Sequence, residues 1–411
     1  MDFIQNALIY TSLFLAIYFQ VFLFLTYIGW REHKDDLPGF ASEDALPSVS
    51  IMVPCYNEES TVVGTIESLL ASHYPKSKLK IVVIDDGSKD GTWVNVQPFA
   101  HNSQVVLLQK KNEGSKFAAL NFGLRHVTTD IVGCLDADSS VDSFAIRNSV
   151  QWFSRDDVGG VVPSMVIDNP KSIMQHMQKV EYEIATYLKQ VLHQLESLYV
   201  APGPLTLFRK KVFDTLGEYK EAHHTEDLEI ALRMQIAGMR LVHSKESLVY
   251  TKGPRTWPAL LKQRIRWTYG FIKNVQDYRA YLFSAQLGDL SFFILPFAII
   301  SLIVAVLMLP FTVWQIVVPI VTTVQRILTV GFHFSQPSFD IFSIPNQGYA
   351  WLGYFGLLFL VFSLVIGRRI ILKQKLLSFD LLTTLIYPFF ASWWTLRSLW
   401  NAIWSKKSSW R

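Results

Sequence analysis

From Phe3 to Trp30 the chain contains no Asp, Glu, Lys or Arg, an unbroken run of 28 residues. About 20 apolar residues suffice to cross a bilayer as a helix. The pattern returns from Leu290 to Gln325, from Ile341 to Gly367 and, more briefly, from Leu381 to Leu396. A multi-pass membrane protein in contact with lipid is therefore expected. Composition agrees, because 18% of the 411 residues are charged against roughly 25% in an ordinary soluble domain. A signal peptide would carry a basic N-terminal region. Only Asp2 precedes the first run, so residues 1–30 are read as a retained transmembrane helix. The formal net charge of +4 is too small to argue for nucleic acid as a partner. Cys55 and Cys134 each end an apolar run and are expected as buried, reduced thiols.

Between the apolar runs the character changes. Residues 31–47 form a charged linker beginning Arg31-Glu32-His33-Lys34, and residues 48–254 have the composition of a soluble domain. Residues 255–285 are helical, aromatic and basic, residues 286–367 form a second membrane region, and residues 368–411 hold a basic loop and a last apolar stretch. Lys262, Arg264, Arg266, Lys273 and Arg279 crowd the approach to the second membrane region. By the positive-inside rule this places the soluble domain on the cytoplasmic side of the plasma (inner) membrane, with the N-terminus outside. If the basic loop Arg368, Arg369, Lys373, Lys375 is also cytoplasmic, an even number of crossings lies between Leu290 and Gly367. Segments near Leu290–Leu309 and Gly348–Ile366 would supply two, leaving Phe311–Phe334, with Pro319 and Arg326, on the outer surface or re-entrant. If that segment crosses, the basic loop moves outside. Leu381–Trp404 reads equally as a span or an interfacial helix.

In the soluble region, Val- and Ile-rich runs alternate with helical patterns, the mark of an α/β fold with a mostly parallel sheet. Strands are expected at Ser48–Val53, Lys80–Ile84, Val105–Gln109 and Ile131–Leu135. A helix is expected after Asn57 as N-cap, with Ile66, Leu69 and Leu70 inward, and another from about Ser115 to Arg125. In such sheets ligands bind beyond the carboxyl ends of the strands. Tyr56-Asn57-Glu58, Asp85-Asp86-Gly87-Ser88 and Asp136-Ala137-Asp138 occupy those ends. No glycine-rich dinucleotide or P-loop motif is present.

Asp136 and Asp138, two apart, would share one face if the strand continues. Paired carboxylates with substrate phosphates suit Mg²⁺ or Mn²⁺, although Asp-rich turns also occur for local hydrogen bonding alone. Asp85 and Asp86 carry the same alternatives, a base or ribose being the ligand. Lys116 opens a predicted helix and either faces a phosphate or is solvated. Thr225 can serve as an N-cap with Glu226 and Asp227 in the first turn, which explains that triplet without chemistry. His223-His224 point to opposite faces in extended chain, which argues against a metal site. The stripe Ile173, Met177, Val180, Ile184, Leu188, Val191, Leu195, Leu198 fits an amphipathic helix, explained by core packing or, near Gly203, as a wall for an acceptor.

Taken together, Asp85-Asp86-Gly87-Ser88, Asp136-Ala137-Asp138, Thr225-Glu226-Asp227 and Gln263-x-x-Arg266-Trp267 resemble the ordered signature of the membrane-integrated family 2 glycosyltransferases of GT-A fold. These include poly-β-1,6-N-acetylglucosamine, cellulose, hyaluronan and chitin synthases. Pro54-Cys55-Tyr56-Asn57-Glu58 resembles the family's opening motif, and Gly203-Pro204-Leu205 with Arg209 its acceptor-side loop. The resemblance covers about Ser48 to Gly270 and the flanking spans. The single N-terminal span and the Thr-Glu-Asp triplet look most like the poly-N-acetylglucosamine synthases, whereas the loop before Pro204 looks closer to hyaluronan or chitooligosaccharide synthases. No cyclic-dinucleotide-binding segment of the cellulose-synthase type is expected.

The resemblance implies an inverting displacement from a UDP-sugar. It implies Asp227, beside Glu226, as general base, and Asp138 with Asp136 on Mg²⁺ or Mn²⁺. Arg266 would take the diphosphate and Trp267, with Gln263, Gly203 and Pro204, the acceptor. Asp85 and Tyr56, with Asn57, Glu58, Asp86 and Lys116, would hold the donor. A polysaccharide acceptor needs an export path, and four or so spans make a thin wall for one. A small membrane partner subunit or a homo-oligomer would then complete the pore. The alternative is a transferase that acts once on a lipid acceptor.

Overall fold

A computed structural model describes residues 2–32, 39–331, 348–373, 383 and 393–404. Expectations that fall on 33–38, 332–347, Lys375 and most of 381–392 lie outside the described residues.

The first apolar run is helix α1 (Asp2–Glu32). It is followed by β1 (Val49–Cys55), α2 (Val62–Leu70), β2 (Leu79–Asp85), α3 (Thr92–Val96), β3 (Val105–Gln109), α4 (Lys116–Leu124), β4 (Ile131–Cys134) and β5 (Ser139–Val141). The second half holds α5 (Ala145–Gln151), β6 (Val158–Ile167), α6 (Ile173–Gln194), β7 (Leu207–Arg209), α7 (Lys210–Leu216), α8 (Glu226–Ile236), β8 (Arg240–Thr251) and α9 (Trp257–Asp277). All eight strands join one sheet in the order β3-β2-β1-β4-β7-β6-β8-β5. The expected α/β class holds. The first four strands are parallel in register, Cys55 opposite Asp85 and Asp85 opposite Gln109, which sets the polar strand ends side by side. The second half is mixed: β7 runs antiparallel to β4 and β6, and β5 antiparallel to β8.

Helix α2 begins at Val62 behind Thr61, not after Asn57. Asn57 adopts a left-handed φ of 55°, which Asn tolerates better than most residues. It ties two loops together instead: its amide donates to Ser88 Oγ at 3.0 Å and its Oδ1 accepts from Lys89 N at 2.8 Å. The apolar face Ile66 and Leu69 is buried as expected. Gly87 (φ +71°) is required, because a Cβ there would meet Asn112 N at 2.8 Å. Both cysteines are free and buried.

Among the described residues three helices are long and apolar enough to cross a membrane: Asn6–Gly29, Leu290–Pro310 and Ala350–Arg369. The second does not end where proline suggests a break. Helix α10 (Leu295–Val330) continues through Pro310 and Pro319 for 36 residues, about 54 Å at 1.5 Å per residue against about 30 Å of hydrocarbon. Helix α11 (Gly348–Val365) packs on α1 through Phe362 and Phe24, whose ring centroids lie 4.6 Å apart.

Helix α6 joins these spans to the sheet. Its Ser172–Gln175 capping box starts it. Tyr187 meets Tyr27 of α1. Glu183 pairs with Arg368, just beyond α11, at 3.3 Å, both side chains being buried. Breaking a buried pair by removing one partner costs about 3–5 kcal/mol, whereas replacing both with apolar groups is often neutral. Arg368→Leu should therefore lower the thermal midpoint in detergent by several degrees, and Glu183→Leu/Arg368→Leu should regain most of it. A single variant as stable as the parent would show that the pair does not fasten α11 to α6.

Candidate functional site

The polar strand ends converge on a cavity of about 600 Å³. Tyr56 and Glu58 follow β1, Asp86 follows β2, and Asp136 and Asp138 follow β4. The expectation that Asp136 and Asp138 share a strand face is not met, since β4 ends at Cys134. A turn brings both carboxylates to the cavity instead. Thr65 of α2 fixes that turn by donating to Ala137 O or Ser139 O, at 2.9 and 2.7 Å, and Asp138 Oδ1 accepts from Ser139 Oγ at 3.1 Å.

Lys116, the first residue of α4, lines the cavity and forms an ion pair with Asp136. Burial works against its ammonium, but the charges of Asp136 and then Cys134 and Glu226 outweigh that and hold its pKa above the usual lysine range. Gly203 lies against this pair, where a Cβ would come within 2.6 Å of Lys116 Nζ and 3.3 Å of an Asp136 carboxylate oxygen. Any side chain at 203 would crowd the pair. Burial, then Asp136, pushes Asp138 up to about 6.

On the opposite rim, Glu226 and Asp227 open α8 and line the cavity with His224 and Thr225. Thr225 occupies the N-cap position but makes no capping bond. Its hydroxyl donates to Ala222 O and accepts from Asn274 of α9, both at 2.9 Å, and Gly270 of α9 sits flush against it. The acidic turn is thus clamped to α9, the helix that supplies Gln263, Arg266 and Trp267 to the same cavity. Ala201 N donates to Asp227 O at 3.1 Å, so the Gly203-Pro204 loop is tied to the same point. Burial, then the neighbouring Glu226, pushes Asp227 up to about 6, against the pull of Lys116.

Asp138, Asp227 and the adjacent Arg266 and Trp267, three points far apart in the chain, therefore line one cavity. Asp85 is a correction. It is fully buried, its two oxygens accepting from Ser88 N and Gln109 Nε2 at 3.1 and 2.9 Å. It is Asp86, paired with Lys110 at 2.9 Å, that reaches the cavity. Asn57 likewise supports the rim without lining it. Arg209 is structural, its guanidinium donating to the carbonyls of Val158, Phe153 and Arg155. His223 pairs with Asp277 at 2.9 Å, and among the described residues no group of three or more His, Cys, Asp or Glu is placed to hold a metal.

The expected alternative of α6 as a wall rested on its apolar stripe; the residues that line the cavity are others that sequence reasoning did not single out, Glu181, Tyr182, Ala185 and Lys189. Glu181 holds Arg264 of α9 bidentately at 2.7 and 2.5 Å. The Arg264 guanidinium in turn lies 4.5 Å from the Trp267 ring centroid, a cation–π contact. Lys189 donates to Pro163 O at 3.1 Å, and burial alone lowers its pKa to about 8.

Residues 47–270, more than half of the chain, match the family described as glycosyltransferase-like family 2. The chain belongs to that family. Among family 2 relatives, poly-β-1,6-N-acetyl-D-glucosamine synthase of Staphylococcus aureus strain COL is 29% identical over 272 residues, 64% of this chain and 65% of that one. The Staphylococcus epidermidis protein of the same name is 27% identical over 268 residues. The matched region thus spans just under two-thirds of these relatives' length. The fold is that of GT-A transferases: a mannosyltransferase from Pyrobaculum calidifontis, solved with GDP-Man and Mn²⁺, superposes over 97% of this chain and 99% of its own. Its TM-score is 0.58 and its sequence identity 16%.

Proposed function

We propose that this chain transfers N-acetylglucosamine from UDP-N-acetylglucosamine, with inversion, to a hydroxyl of a growing β-linked polysaccharide at the cytoplasmic face of the plasma membrane. The observation that carries the reading is the meeting of Asp138, Asp227, Arg266 and Trp267 in one cavity, whose volume is in the range of small-molecule sites. The names of the staphylococcal relatives support the choice of sugar and acceptor.

The acceptor oxygen attacks the anomeric carbon, the bond from that carbon to the UDP oxygen breaks, and the hydroxyl proton goes to Asp227. UDP leaves as the anion. Tyr56 and Asp86 hold the uridine, with Asp85 and Asn57 bracing the loops beneath. Arg266 takes the diphosphate with its planar fork, and Trp267 lays its ring against the acceptor sugar. Asp138 and Asp136 are hard oxygen donors, and one or two carboxylates completed by substrate phosphates suit Mg²⁺ or Mn²⁺. When bound there, such an ion offsets the charge that builds on the leaving diphosphate. Asp136 is already engaged by Lys116, so Asp138 is the principal ligand. The Mn²⁺ in the Pyrobaculum structure is consistent with this.

The basic residues around α9 support a cytoplasmic catalytic domain. Arg368 beside Glu183 favours an even number of crossings between Leu290 and Gly367, and Tyr27 beside Tyr187 an outside N-terminus. A partner subunit or a second copy completes an export path.

Purified protein in detergent, given a panel of sugar nucleotides, should release UDP chiefly from UDP-N-acetylglucosamine and yield a ladder of oligosaccharides. One labelled lipid species in place of a ladder would refute the polymer reading. Because Asp227 works only deprotonated and its pKa lies near 6, the transfer rate should rise about tenfold per pH unit below 6 and level off above it. A rate that stays flat from pH 5 to 7 would assign the proton to another group.

A further inference from the structure

Lys189 is a cation of the cavity wall that the proposed transfer step does not use. Lys189 stands two turns beyond Glu181 and Tyr182 on α6, lines the cavity, and spends one hydrogen bond on Pro163 O at 3.1 Å. An ammonium has three donors, and among the described residues no carboxylate is paired with this one. Its depressed pKa has burial as its only cause, as expected of a half-buried charge with no carboxylate partner among the described residues. A cation in that state gains from any oxygen that a ligand brings. Ala185, one turn back on the same helix, and Met165, two residues beyond Pro163 on β6, line the same cavity, as does Val200. A hydrogen-bond donor next to a small apolar cradle matches a carbonyl next to a methyl group.

We propose that Lys189, with Ala185, Met165 and Val200, forms an acetamido subsite that selects an N-acetylated acceptor sugar. Lys189 donates to the amide oxygen and the apolar residues take the methyl. The inference rests on the proposed transferase reading and adds which acceptor is chosen. An anionic acceptor group fits less well, because Ala185, one turn away on the same helical face and lining the same cavity, offers the remaining oxygens of a phosphate no donor.

The test uses full-length protein in detergent, UDP-N-acetylglucosamine as donor, and three acceptors: an N-acetylglucosamine oligomer, its de-N-acetylated counterpart and a polyprenyl phosphate. The parent should show a KM at least tenfold lower for the N-acetylated oligomer. Lys189→Met should erase that preference while leaving the KM for the donor unchanged. Ala185→Leu, which fills the cradle and leaves the ammonium, should raise KM for the N-acetylated oligomer alone, and it decides the matter if Lys189→Met does not fold. Retention of the preference in either folded variant, an equal loss toward all acceptors, or a preference for polyprenyl phosphate that depends on Lys189 would overturn the subsite. A parent that releases no UDP from any sugar nucleotide would instead overturn the transferase reading, so the two failures are distinct.

Discussion

Asp227→Asn is expected to bind UDP-N-acetylglucosamine with near-parental affinity and to lose transfer by about 10²–10⁴-fold, the usual contribution of a positioned general base. Asparagine keeps the shape and the oxygen that accepts from Leu228 N at 2.9 Å, so the first turn of α8 and its clamp to α9 stay intact. It removes only the site to which the acceptor proton can go. Fluorescence or calorimetric titration with UDP-sugar separates binding from turnover, and radiolabelled product gives the rate. The neighbouring acid provides the control. Glu226 raises the Asp227 pKa through its charge, so Glu226→Gln should shift the acid limb of the pH–rate profile downward while leaving a measurable rate. Robust transfer by Asp227→Asn would remove the base assignment, and the acid limb should vanish with the base.

The depth of the site is set by α6, which faces two ways. One side carries Tyr187 and Glu183 to the membrane helices, and the other carries Glu181, Tyr182 and Lys189 to the cavity. This explains both what the sequence revealed and what it hid. The acidic turns were legible because they end short apolar strands, and a parallel sheet gathers such ends on one edge. The lining residues of the α6 wall were not legible, because an apolar stripe is the face expected to pack and a helix's polar stripe ordinarily meets water. Four polar or small residues at 181, 182, 185 and 189 share a helical face, but only tertiary structure shows that the face looks into a cavity. Asp85 and Asp86 show the same limit at finer grain. Successive strand residues point to opposite sides, and nothing local states which of the two is buried against Gln109. The passage of α10 through Pro310 and Pro319 was illegible for a related reason. Proline usually ends helices in water, but an apolar membrane helix can accommodate it because the backbone has no better alternative partner.

The ion-binding assignment leads to the second large effect. In the parent, Mg²⁺ or Mn²⁺ should tighten UDP binding at least tenfold relative to chelator, equivalent to about 1.4 kcal/mol. In Asp138→Ala that metal dependence should collapse, and transfer should fall by about 10²–10³-fold, the scale of losing one preorganised electrostatic contact to a developing anion. The geometry makes Asp138 rather than Asp136 decisive. Asp136 is neutralised by Lys116, whereas Asp138 accepts from the weakly polarising hydroxyl of Ser139 at 3.1 Å and is pushed up to about 6 by burial and its neighbour. A half-buried carboxylate in that position gains from a cation that arrives with the nucleotide, so its removal should leave metal-free UDP affinity nearly unchanged or slightly improved. Asp136→Ala should behave differently: it frees the Lys116 ammonium toward the diphosphate, so metal-free UDP affinity should rise while some metal dependence remains. Equal metal dependence in Asp138→Ala and in the parent would mean that the ion is held elsewhere, and the charge on the departing diphosphate would then have to be met by Arg266 and Lys116 alone.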